Sequence, residues 1–79
     1  MSDDTARRLF RVLTRTRGGY NGSTMYDVQL QSVATGQLLW AQTFTDYDQA
    51  TAFERRISDD LEYLPELDFR RKHGVPSNA

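Results

Sequence analysis

No cysteine occurs in the 79 residues. That absence excludes a disulfide scaffold and a thiolate metal site. It also removes the usual support of small secreted domains, so the expected compartment is the cytoplasm. Histidine is almost missing as well, with His73 alone. A structural zinc site lacks its ordinary ligands, and no serine or threonine has a histidine placed to activate it. No apolar run approaches the roughly 20 residues of a membrane span. The start, Met1-Ser2-Asp3-Asp4, is acidic with no hydrophobic segment behind it, so neither a span nor a signal peptide is expected. Internal repeats and low-complexity stretches are absent too.

A chain this short makes one domain, which buries only about 60% of the surface its unfolded form exposes. Stability is expected to be modest unless the domain dimerises. The net charge of −1 is uninformative, but its distribution is uneven. Arg7 to Arg17 holds five arginines and no acid, whereas Thr45 to Asp68 holds eight acids against Arg55 and Arg56. A basic segment of this kind suits an anionic partner; equally, the basic strand and acidic helix could attract each other within the fold.

Alternation marks three strands. In the first, Leu9 to Thr16, Phe10, Val12, Thr14 and Thr16 share one side, and Leu9, Arg11, Leu13 and Arg15 share the other. Residues 18–23 read as a loop. In the second strand, Thr24 to Val33, Tyr26, Val28 and Leu30 oppose Met25, Asp27, Gln29 and Gln31. Ala34-Thr35-Gly36-Gln37 is a tight hairpin turn with glycine supplying positive φ, and Leu38 to Phe44 is the third strand. Asp46, with Gln49 three residues on, then starts a helix like a capping box. Ala50, Phe53, Ile57, Leu61 and Leu64 form its apolar stripe. A short second helix, Pro65 to His73, stops at Gly74 and carries only Leu67 and Phe69, so it is expected to pack at an edge.

The resulting fold class is α+β: a three-stranded antiparallel sheet packed on one face by an amphipathic helix, with a short second C-terminal helix. Residues 7–75 form the domain, with disordered ends at 1–6 and 76–79. If the helix covers the Tyr26, Val28 and Leu30 side, the open side presents Arg11, Leu13, Arg15, Arg17, Asp27, Gln29 and Gln31. Trp40 has two readings. Strict alternation puts it with Leu38, Gln42 and Phe44. As Phe44 is a natural core anchor, a bend before Phe44 would free Trp40 for the open face, and without the bend Trp40 packs under the helix.

Little in the chain resembles catalytic machinery. Asp59, Asp60, Glu62, Glu66 and Asp68 lack the alternation and central glycine of a calcium loop, and a solvated helix face explains them better. His73, beside a helix stop and basic residues, suits capping or solvation. Gly18-Gly19 lacks the further glycine and Lys-Ser of a phosphate loop. The expectation is a non-enzymatic domain with no cofactor and no metal.

The run Tyr26-Asp27-Val28-Gln29-Leu30, Thr35-Gly36, Trp40, Thr43-Phe44, Asp46, Gln49-Ala50 and Phe53 resembles the three-strand-plus-helix DNA-binding domains found as arm-type-site-binding N-terminal domains of phage tyrosine recombinases. It is also similar to the plant ethylene-response-factor domain. The likeness spans about Phe10 to Ile57. It implies a sheet set in a DNA major groove, with Arg11, Arg15, Gln29 and Gln31 on the contacting face and Trp40 where the plant domain's third strand carries an exposed tryptophan. Leu38 departs from the basic residue usual there, and Asp27 would face phosphates. The expected partner is DNA or RNA, read by Arg11, Arg15, Arg17, Gln29, Gln31 and Trp40. The alternative is a protein partner or a second copy, taken up on the same face or on the edge of strand one, where Leu9, Leu13 and Leu38 would form the patch.

Overall fold

The computed structural model describes residues 5–76. Of the ends expected to be disordered, 1–6 and 76–79, residues 1–4 and 77–79 lie outside the described residues. Strands β1 (Phe10–Gly18), β2 (Thr24–Ser32) and β3 (Leu38–Phe44) form one antiparallel sheet in the order β1-β2-β3. Helices α1 (Tyr47–Tyr63) and α2 (Glu66–His73) follow, and α1 lies across one face of the sheet.

The β2–β3 turn closes as its sequence requires. Gly36 has φ +75°, and its N–H donates to the Ser32 carbonyl at 2.8 Å. Asp46 caps α1, accepting from the Asp48 N–H at 3.0 Å rather than from Gln49. The apolar stripe faces the sheet: Ala50, Ile57 and Leu61 are buried, while Phe53 and Leu64 are half-buried against the same core. Leu64 is extended (φ −95°, ψ 138°), the conformation that Pro65 imposes on its predecessor, and α1 stops there.

Helix α2 lies at the margin of the fold, as its two apolar residues suggest, but one of them is a buried anchor. Phe69 is fully buried and stacks on Phe10 with ring centroids 5.6 Å apart. Val75, just past the helix, joins the core of Ala6, Phe10, Leu30, Ile57 and Leu61. Arg70 lies over the outer side of Phe10, 4.8 Å from the ring centroid. The start of the chain is drawn in as well. Thr5 bridges to Pro65, the Ala6 N–H donates to the Leu64 carbonyl at 2.9 Å, and Ala6 is wholly buried. Thr5 and Ala6 therefore belong to the folded domain rather than to a disordered leader.

Gly74 ends α2 at φ +66°, ψ 32°, with its N–H donating to the Arg70 carbonyl. A Cβ there meets no neighbour within 4 Å, so the left-handed backbone is the whole penalty of substitution. Gly74→Ala is expected to destabilise the domain by about 1 kcal/mol, measured as a lower urea midpoint at unchanged slope.

Candidate nucleic-acid interface

The register sorts the sheet into cross-strand rows. On the helix side run Val12–Leu30–Trp40, Thr14–Val28–Gln42 and Thr16–Tyr26–Phe44. On the other side run Arg11–Gln31–Leu38, Leu13–Gln29–Ala41 and Arg15–Asp27–Thr43, with Arg17 opposite Met25 at the end. Of the described elements, α1 and α2 pack on the first side only, so the second side is the open face.

Trp40 is on the helix side. Its ring centroid lies 5.9 Å from that of Phe53, which also meets Phe44 at 5.3 Å. No bend before Phe44 releases it. The irregularity sits earlier: Leu30 pairs with Trp40 but Gln31 pairs with Leu38, so Leu39 is an extra residue, a β-bulge. The bulge lets Leu39 and Trp40 both pack on the core while Leu38 goes to the open face, half exposed. Trp40 is thereby removed from the set of open-face contacts, and it does not occupy the exposed place that the family likeness implies.

The remaining five predicted residues do share the open face, four of them in two bonded groups and Arg15 outside both. Arg11 Nε donates to Gln31 Oε1 at 3.1 Å, and Gln31 Nε2 donates to Gln29 Oε1 at 3.2 Å. Gln31 is only 8% exposed, so it orients Arg11 and Gln29 instead of reaching a base edge. Arg17 Nε donates to Asp27 Oδ2 at 2.7 Å, and the Thr43 hydroxyl donates to Asp27 Oδ1 at 2.6 Å. The hydrogen bond from Arg17, followed by that from Thr43, holds the Asp27 carboxyl below its ordinary value. The aspartate that looked ill-suited to an anionic partner is thus neutralised internally. Arg15 stands directly across from Asp27, is exposed, and has no ion-pair partner among the described residues. Arg11, bonded to the neutral Gln31, likewise has no ion-pair partner among the described residues.

The helix side holds a second feature that the sequence did not signal. A cleft of about 450 Å³ lies between Trp40, Ala41 and Gln42 of β3, Phe53 of α1, and the end of α2 from Lys72 to Gly74. Asp60 of α1 fixes that end: its Oδ2 accepts from Lys72 Nζ at 2.9 Å and meets His73 Nε2 at 2.8 Å. More than 30 positions of chain separate Trp40 from Lys72, and no periodicity relates them. Trp40 lines this cleft, and its indole Nε1 is buried with no hydrogen-bond partner among the described residues.

Partial burial pushes the Asp60 carboxyl up, but the hydrogen bonds and charges of Lys72 and His73 outweigh it and hold the group below its ordinary 3.8. A carboxyl depressed in the folded state contributes its stability in full above the unfolded value and loses it as pH falls through the folded one. Asp60→Asn should therefore lower stability near neutral pH by about 1–2 kcal/mol and flatten the decline below about pH 4. Urea denaturation of both proteins across that range checks it; parallel acid profiles would remove the assignment.

Comparison with protein-family models, with curated proteins and with solved structures finds no match to this chain.

Proposed function

We propose that this chain is a non-enzymatic binding domain whose open sheet face takes the phosphate backbone of a nucleic acid. The observation that carries this reading is the set of Arg11, Arg15 and Arg17 on one side of β1, interrupted at Leu13, with the acid of that face, Asp27, already neutralised by Arg17 and Thr43. Arg15 and Arg17, two residues apart on the strand, are spaced by about 7 Å, close to the spacing of successive phosphates along a nucleic-acid strand, and Arg11 lies about two such steps from Arg15. The glutamines are occupied in orienting each other and Arg11, so the chemistry on offer is contact with phosphate, which positions without specifying sequence. The domain reads best as a sequence-tolerant element.

Binding to a mixed-sequence duplex and to a single strand, titrated over salt, tests this directly. Affinity should fall along a straight line in log–log form, because neutralised phosphates release counterions. Binding indifferent to salt, or none at low salt, removes the proposal. A second reading keeps one specific support: Leu38, Leu9 and Val33 are exposed apolar residues, and Leu38 stands in the Arg11–Gln31 row. It predicts self-association through that end, which sedimentation over a concentration series would detect.

A further inference from the structure

We propose that the outer edge of β3 accepts an extended peptide as a fourth strand, with one apolar side chain of the peptide seated in the cleft and an acidic residue two positions along meeting Lys72. This site lies on a different surface from the arginine row and does not depend on that reading.

Both β1 and β3 are edges of the sheet among the described residues. A free edge presents every second N–H and C=O to any strand that can reach it, and proteins commonly guard such edges with charge or proline. The two edges differ in that respect. β1 carries Arg11, Arg15 and Arg17, whereas β3, Leu-Leu-Trp-Ala-Gln-Thr-Phe, carries neither charge nor proline. Its single irregularity, at Leu39, leaves the stretch from Trp40 to Phe44 regular.

The cleft opens along this unguarded edge. Ala41 belongs by parity to the open face, yet it lines the cleft together with Trp40 and Gln42. The cleft therefore runs onto the strand's edge instead of ending under the helices. A strand paired there projects alternate side chains toward the helix layer. One of them enters a space walled by Phe53 and Trp40, apolar enough for an aliphatic or aromatic group. Lys72, half exposed at the rim, supplies charge complementarity for a carboxylate on the peptide. Its bond to Asp60 does not prevent this: Asp60 keeps His73 as a partner, and an exposed ion pair exchanges at small cost. The indole N–H of Trp40, buried without a partner among the described residues, would gain from an acceptor brought by the peptide.

The test uses the isotope-labelled full chain and a capped six-residue peptide of threonine and valine with a central phenylalanine and a glutamate two residues from it, on the same side of the strand. The Trp40 indole N–H and the amides of Ala41 to Thr43 should shift together, with slowed hydrogen exchange at the outward amides of β3. No change at millimolar peptide, or shifts confined to β1, overturns the proposal. A peptide with proline in place of valine keeps the anchor and charge but cannot form the ladder, and should bind at least about tenfold more weakly. Equal binding by that peptide, or equal effects from N-acetylphenylalanine amide alone, would make the cleft a small-molecule pocket and overturn strand addition. Gln42→Phe, which fills the cleft from an exposed position, should weaken binding to a similar degree. Should that variant misfold, Lys72→Glu gives the same test. It should weaken the glutamate peptide and favour its lysine counterpart, and indifference to both would overturn the role of Lys72.

Discussion

Phe69→Ala is expected to remove about 3–5 kcal/mol, a large share of what holds the domain together. Chains of this size hold on the order of 4–12 kcal/mol in total. Phe69 is fully enclosed, stacked on Phe10 and 4.6 Å from the His73 ring, at the point where α2 closes the core of Ala6, Leu30, Ile57 and Leu61. Truncation leaves a cavity that Phe10 cannot fill without leaving its own position against Arg70. Leu67→Ala, two residues earlier and 67% exposed, should change stability by less than about 0.5 kcal/mol. Urea denaturation followed by circular dichroism measures both. Comparable losses in the two variants would mean that α2 does not pack as described.

That contrast shows where the sequence stops being informative. Residues two apart on a helix point about 200° away from each other, so only one of Leu67 and Phe69 can face inward. Eight residues offer too few turns for periodicity to choose between them. The longer helix posed no such problem: five apolar positions from Ala50 to Leu64 fix its buried face, and Asp46 and Pro65 fix its ends. Strand parity was equally legible in β1 and β2, where the alternation is unbroken. It failed in β3 for a local reason. Two adjacent leucines can hide one extra residue, and the bulge at Leu39 reverses the side of everything before Trp40. The open-face arginines follow from parity alone. Their partners, and the burial of Gln31, depend on cross-strand neighbours that no single strand's pattern contains.

The arginine row makes a prediction about both the size and the sign of electrostatic effects. Three phosphate contacts give a log–log salt slope near −2.7 on duplex DNA, an affinity loss of about 40-fold between 50 and 200 mM salt. With Arg11→Ala and Arg15→Ala combined, one contact remains, and the same change in salt should cost only about 3.5-fold. Arg17→Ala alone should hurt more than one lost contact, because it also leaves the Asp27 carboxylate without its cation. Asp27→Asn works in the opposite direction: it deletes the acid of that face and releases Arg17 from its ion pair, so it should tighten binding at low salt. This opposition separates the two readings of the face. A polyanion must respond to Asp27→Asn with higher affinity at low salt. A dimer built on Leu38 and its apolar neighbours gains nothing from it, since two copies of a more basic face repel each other. Weaker nucleic-acid binding by Asp27→Asn, in a protein that keeps its fold, would therefore sink the phosphate-contact reading.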